Sequence, residues 1–428
     1  MRAFFILQLI LGAGFFTLVP FAATFAQESD THTCASYDRE TETILVECNS
    51  RLETIYRDIA DNQDGDSALT TNGSEWILDA DMLVNDGATL TIDTGGAWLK
   101  IMDAHGITID DGKLNVNNSR ITSWSGEGEE INQNLDGSNE RAFIQIKDSD
   151  GVLITYSEFG YLGYNDPGKR GFDVFGEPSR NITIANSRFH HMWMAFYSRE
   201  ASDIIVNGSE YHDNVKYALD PHTGTNHMVV TNNYLHHNPI GVICSLDCSD
   251  IIIEDNQIHN NSKAGIFLSR NMFDSLVRNN TVYNEVIGII VSESPGNEIV
   301  GNKIHASEIG ISLFNPDNPD DGETKDNIIH NNFISRAEQG IAAIRSQDNV
   351  LENNDFVDIE FEYYMTDGSS ITIRNQTFDD HEIRGVSGTN IVEIEDSGTV
   401  LVGDNDHDSD TDSIREQLNR DTLIIDSQ

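Results

Sequence analysis

Within six residues, Tyr217-Ala218-Leu219-Asp220-Pro221-His222, the chain offers a phenol, a carboxylate and an imidazole. The proline between the last two fixes the backbone that carries them. An imidazole is the side chain best suited to exchange a proton near neutral pH, a phenol can serve as its counterpart, and a carboxylate tunes both. The chemistry such a set can do is paired proton transfer. Asp220 also has a plain structural use, capping the turn before Pro221.

What must hold these groups in place is a repeat, the strongest structural signal in the sequence. Asn186-Ser-Arg-Phe-His-His, Gly208-Ser-Glu-Tyr-His-Asp, Asn232-Asn-Tyr-Leu-His-His, Asp255-Asn-Gln-Ile-His-Asn, Asn279-Asn-Thr-Val-Tyr-Asn and Gly301-Asn-Lys-Ile-His-Ala are variants of one unit. Their fourth residues, Phe189, Tyr211, Leu235, Ile258, Val282 and Ile304, lie 22, 24, 23, 24 and 22 positions apart, and the series resumes at Ile334, Phe356 and Phe378. Each unit adds a β-branched run such as Asp250-Ile-Ile-Ile, then a small residue opening another short strand such as Gly265-Ile-Phe-Leu. Short alternating strands, Asn-rich corners and this period predict an all-β fold, a right-handed parallel β-helix over residues 76–400. A leucine-rich repeat has a similar period, but its Leu-x-x-Leu-x-Leu pattern is missing.

Aligning the coils on the small residue (Ala195, Ala218, Gly241, Gly265) gives two outward columns. One reads Tyr197, Asp220, Ile243, Phe267 and the other Arg199, His222, Ser245, Ser269, so Arg199 is expected one strand spacing, about 4.8 Å, from His222. Lys216 and Lys263 share a further column, and Arg270 extends beside the next coil. Two long insertions, Ser125 to Asn139 and Tyr161 to Arg180, interrupt the earlier coils. The second carries Tyr161, Tyr164, Lys169, Arg170 and Phe172, which suits the wall of a cleft.

The chain has 428 residues, 71 acidic against 26 basic, for a net charge of −45. That balance argues against nucleic acid and anionic membranes as partners. A polyanionic substrate would be repelled by the overall field and would need a local basic groove, bridging cations or high salt. Met1-Arg2 followed by the apolar run Ala3 to Phe25 and small residues to Ala26 reads as a signal peptide over residues 1–26, removed on export to a secreted or cell-surface location, with no stable membrane insertion afterwards. Residues 27–75 are expected to form an N-terminal cap. A disulfide between Cys34 and Cys48 suits an exported chain, and Cys244 with Cys248 is a weaker candidate pair, being too close along a strand unless the chain turns. Residues 401–428 read as an acidic tail with a short helix. Its Asp404-Asn-Asp-His-Asp run lacks the glycine and glutamate of an EF-hand. The sequons at Asn72, Asn117, Asn181, Asn207, Asn260, Asn279 and Asn375 follow from Asn-rich turns. The column His190, His212, His236, His259 and His305 reads as a structural ladder rather than a metal site, since no mixed carboxylate pattern completes one.

The hexapeptide resembles the Tyr-Gly-x-Asp-Pro-His motif of the mannuronan (alginate) C-5-epimerase family. The similarity extends to Tyr161-Leu162-Gly163-Tyr164, Phe189-His190-His191-Met192 and Lys263-Ala264-Gly265-Ile266-Phe267-Leu268-Ser269-Arg270, roughly residues 155 to 350. Ala218 replaces the usual glycine, Ala264 stands where a second basic residue often follows Lys263, Thr223 follows the histidine, and the Ca²⁺-binding nonapeptide modules are absent. The resemblance implies that His222 and Tyr217 are the catalytic proton-transfer groups on opposite faces of a uronate sugar, with Asp220 supporting them. Abstracting the C5 proton is hard because the adjoining carboxylate resists further negative charge. Arg199, Lys263 and Arg270 are therefore read as substrate-binding cations that neutralise it and stabilise the enediolate, with Tyr197 as a further substrate contact. His222 would take the proton and Tyr217 return one, each contribution being worth roughly 10²–10⁴-fold. Return of the proton gives an epimerase, an isomerase of anionic polysaccharide; loss of the O4 leaving group would make the same site a lyase. A cell-surface glycan-binding protein without catalysis is the competing class. The chemistry requires no cofactor, Ca²⁺ is compatible with it, and the chain is expected to be a monomer.

Overall fold

Every buried corner of this chain has to satisfy backbone groups that no strand can reach, and side chains do so in long ladders. Asn233, Asn256, Asn280, Asn302, Asn332 and Asn354 occupy one such corner. From Asn256 onward each carboxamide oxygen accepts the backbone N–H of the asparagine one coil earlier at 2.9–3.1 Å, and from Asn233 to Asn332 each amide nitrogen donates to the next oxygen. In the preceding coils serines do the same, Ser187 N–H donating to Ser209 Oγ at 3.1 Å. Replacing Asn256 by alanine strands the N–H of Asn233 and leaves a cavity, so a loss of at least about 2 kcal/mol is expected in urea unfolding.

The computed structural model of the chain describes residues 33–60, 67–126, 130–305, 308–316, 322–375, 383–385, 390–394 and 398–402. The expected signal segment 1–26, Phe378 and the residues beyond 402 lie outside them. Each coil has three strands, as in Tyr217–His222, Asn226–Thr231 and Tyr234–His236, paired in parallel with Ile240–Ser245, Ser249–Glu254 and Gln257–His259 of the next. First and second strands belong to one sheet and third strands to another. Phe189, Tyr211, Leu235, Ile258, Val282 and Ile304 are in direct register along the third strands, and all are fully buried. The apolar core runs as one cluster from Ala35 to Ile394.

The glycine at the head of the first strands from Gly241 to Gly340 is there because the coils touch. A Cβ on Gly241 would meet the carbonyl oxygen of Gly265 at 2.7 Å, and one on Gly265 that of Gly288 at 2.8 Å. Corner asparagines such as Asn181, Asn260 and Asn279 sit at φ of 55–56°, a left-handed conformation that asparagine tolerates. Turn geometry accounts for these sequons.

Stacking begins earlier than residue 76. Thr43–Val46 already pairs in parallel with Asp81–Val84, so the expected cap is part of the solenoid. Its open end is closed by the helix Leu52–Ala60, which buries Leu52, Ile55 and Ile59, beside the Cys34–Cys48 disulfide. At the other end Gly398–Val402 runs antiparallel to Asn390–Ile394. Cys244 and Cys248 are free and buried, which corrects the second disulfide pairing. Cys248 Sγ lies 3.2 Å from the Ser245 carbonyl oxygen instead.

The second insertion is shorter than its sequence suggested. Only residues 161–170 leave the stack, and Gly171–Ala185 returns as one long strand that supplies both the first and second positions of its coil, with a register shift between Phe175 and Ser179. Arg170 therefore ends a loop and stands at the edge of the face that carries Tyr217 and His222.

Candidate active site

Strands in register place the outward column as expected. Asp173 pairs with Tyr197 and Tyr197 with Asp220, while Phe175 pairs with Arg199 and Arg199 with His222. Tyr217 lies on the outer surface as well, packed with Ile240, Ile243, Ala264, Phe267 and Ile290 in a small apolar cluster separate from the core. The strand carrying the hexapeptide departs from simple alternation here. Its four central residues are all buried and only Tyr217 and His222 are partly open.

His222 is held from both sides. Its Nδ1 lies 2.7 Å from the hydroxyl of Thr223 and its Nε2 3.3 Å from Nη2 of Arg270. A guanidinium can only donate, so Nε2 must be the acceptor, which leaves the proton on Nδ1, donated to Thr223. Burial, then the charges of Arg270, Arg170 and Arg199, push the imidazole down to about 4. It is therefore a neutral base with a fixed tautomer over the whole physiological range. Thr223, at φ 32°, owes its role to this contact.

Asp220 is 2 % exposed, and its Oδ1 has no hydrogen-bond partner among the described residues. Burial raises its carboxyl to about 8, against the opposing pull of Arg170 and Arg270. At neutral pH it is a carboxylic acid beside a neutral imidazole. A group whose folded pKa lies above its unfolded value contributes stability that is present in full below the unfolded range and is lost as pH rises through about 8. Asp220→Asn should therefore melt at least a few degrees higher than the parent at pH 9, with the difference closing toward pH 4. Scanning calorimetry at both pH values checks this.

Arg270 acts on every member of the hexapeptide that could do chemistry, lowering the Tyr217 phenol, the Asp220 carboxyl and the His222 imidazole. For Tyr217 and Asp220 burial is the larger influence, and the net shift of each is upward. Arg270 comes from two coils further on, at a left-handed corner with φ 54° just after Ser269. The other expected cations stand differently. Arg199 is adjacent to His222 in register, but its side chain is half exposed and pairs with Glu200 at 3.7 Å. Lys263 is exposed, one residue before Ala264, which is in register with Ile240 and through it with Tyr217. Tyr197 is half-buried, its ring 5.6 Å from that of His222.

Of two further residues at the site, the sequence offers Arg170 only as part of a cleft-wall insertion and does not single out Asp173. Arg170 lies over the Tyr197 ring at 4.3 Å, and Asp173, fully buried, faces Arg170. The alignment of coils on small residues could have found Asp173, since it continues the Tyr197–Asp220 column. Arg170 could not be placed because a loop delivers it.

The histidine column is a stack of rings. His190, His212, His236 and His259 follow one another at centroid distances of 5.1–5.2 Å, and Tyr283 continues the stack at 4.5 Å. Among the described residues no group of three or more His, Cys, Asp or Glu side chains is arranged to hold a metal ion. A cavity of about 690 Å³ lies on another face, lined in part by Arg120, Glu158, Arg188 and Glu210. Its arginines are paired with those glutamates, which neutralises it.

The chain matches the family model described as the right-handed beta helix region over residues 105–282, 222–378 and 274–414. Across 166 residues it is 30% identical to a mannuronan C5-epimerase of Pseudomonas aeruginosa, which covers 36% of this chain and 31% of that protein. Across 180 residues it is 28% identical to the mannuronan C5-epimerase AlgG of Azotobacter vinelandii, covering 40% and 34%. The aligned segment spans about a third of the length of these curated relatives. The crystal structure of the periplasmic alginate epimerase AlgG shares the fold, with a TM-score of 0.60 at 19% identity over 82% of this chain and 84% of that one. With the family matches together running from residue 105 to 414, well over half its length, the chain belongs to the right-handed β-helix family.

Proposed function

We propose that this protein is a polyuronate C5-epimerase, an exported isomerase that inverts C5 of mannuronate units in a mannuronan-like polysaccharide. The observation that carries the reading is the placement of Arg270 against Nε2 of His222, close enough for its charge to act on Tyr217 and Asp220 as well. Mannuronan C5-epimerases among its relatives point the same way.

In the free protein Arg270 occupies the lone pair of the base. An arriving uronate carboxylate is the stronger acceptor, so it draws the guanidinium to itself and frees Nε2. His222 then takes the C5 proton while Arg270 holds the charge that develops on the carboxylate. Tyr217 returns a proton from the opposite face, and Asp220, uncharged, adds no repulsion beside the enediolate. These steps need no cofactor; Ca²⁺ would act by bridging the polymer to an acidic surface. Among the described residues no helix is long and apolar enough to cross a membrane.

The deciding experiment is incubation with polymannuronate in D₂O, with and without Ca²⁺, read by NMR at C5 and by the absorbance of unsaturated ends. Deuterium at C5 together with guluronate signals is the expected result. Unsaturated ends would make the protein a lyase, and neither signal would leave glycan binding without catalysis.

A further inference from the structure

Arg170 and Asp173 form a device beside the hexapeptide that the proton-transfer scheme does not use. Asp173 is a carboxyl with no exposed surface. Its Oδ2 accepts the backbone N–H of Arg170 at 3.2 Å and lies 4.0 Å from Nη1 of the same residue, while its Oδ1 has no partner among the described residues. The loop bringing Arg170 here is clamped by two close approaches. At Gly163, φ 83°, a Cβ would meet the Arg170 carbonyl oxygen at 2.0 Å; at Gly171, φ 147°, it would meet that of Met194 at 2.2 Å. Backbone bonds from Trp193 to Leu162 and from Met194 to Arg170 fix both ends.

The guanidinium so placed rests on the face of Tyr197, one rung before His222. The ring of Tyr197, a hydrogen bond to its hydroxyl and one long contact with Asp173 do not exhaust the five N–H donors of the guanidinium, and donors remain for a ligand. Arg270 meets His222 from the coils beyond it, whereas Arg170 stands over Tyr197 one coil before, so the two cations serve different positions along the solenoid axis. A polymer lying along that axis would put the sugar next to the reacting one over Tyr197.

We propose that Arg170, stacked on Tyr197 and positioned by Asp173, binds the carboxylate of the uronate that adjoins the reacting sugar on the N-terminal side of the groove. Arg170 is thus a specificity residue that selects a charged neighbour, and Asp173 is its positioning residue. The inference rests on the epimerase reading for its kinetic test, though not for its binding test.

The test uses the full chain and Arg170→Ala, Arg170→Lys and Asp173→Asn variants, with melting curves to confirm folding. Initial rates of C5 exchange on polymannuronate should show KM about tenfold higher in Arg170→Ala with kcat within about twofold, partial recovery in Arg170→Lys, and a smaller KM rise in Asp173→Asn. A fall in kcat at unchanged KM would put Arg170 on the reacting sugar, and no change in either would remove it from the groove; both overturn the proposal. Should the parent protein show no exchange, the epimerase reading fails, and equilibrium binding of polymannuronate decides the rest. About tenfold weaker binding by Arg170→Ala supports the anchor, and equal binding overturns it.

Discussion

His222→Ala should reduce deuterium incorporation at C5 by about 10²-fold or more, the range expected when a positioned general base is lost. Asn in place of His222 should do no better, since an amide has no basic nitrogen. Thr223→Val is the informative companion. It removes only the acceptor for Nδ1–H, leaving His222 in place but free to take the other tautomer, so a loss smaller than that of His222→Ala is expected. Equal exchange in the parent and His222→Ala would exclude His222 as the base and point to Tyr197 or Tyr217, the aromatic hydroxyls on the same face.

Arg270→Ala is expected to lose about 10²–10³-fold in kcat, as for removal of a preorganised group that stabilises developing negative charge. It has a second signature that loss of folding cannot imitate. Arg270 is the largest charge holding the His222 imidazole down at about 4, burial being the first cause. The parent should therefore keep full activity down to about pH 5 and lose it as pH falls through about 4, where the base becomes protonated. Without Arg270 the imidazole titrates higher, nearer its ordinary value of about 6.5, and the acid limb of kcat/KM moves up with it. Arg270→Lys should retain part of the charge effect but lose the planar contact. An acid limb unchanged in Arg270→Ala would mean that burial and the other two arginines set the His222 pKa without Arg270, and the electrostatic assignment of Arg270 would fall.

Arg199 is expected to matter less than its register suggests. It is the third charge acting on His222, half exposed and tied to Glu200. Side chains at the end of an outward strand have rotamers that lead into solvent, and a neighbouring carboxylate there captures them. Lys263 illustrates the same point, since sharing a column fixes where a Cα stands but not where a long side chain ends.

The buried character of Asp220 shows another gap between the linear and folded molecule. Its column is outward by alternation, yet the side chain is 2 % exposed, and burial is the largest influence on its carboxyl, ahead of the charges of Arg170 and Arg270. A column assignment counts positions along a strand, while burial depends on what reaches across from other coils.

By itself the sequence determined the coil. A period of 22–24 residues, one inward apolar position per third strand and a small residue at each first strand leave one register, because in a stacked solenoid every coil is the template for the next. From that register followed the pairing of Arg199 with His222 and of Tyr197 with Asp220, and the stacking of the histidine column. Tertiary structure alone decided which cation meets the base, that Asp220 is uncharged, that Thr223 fixes the His222 tautomer, and that Arg170 and Asp173 join the site. The physical reason is separation along the chain. Arg270 and Arg170 lie 48 and 52 residues from His222 and arrive by a left-handed corner and a glycine-clamped loop. Repeat spacing is silent at such irregular positions, where the backbone leaves the period to place a functional group.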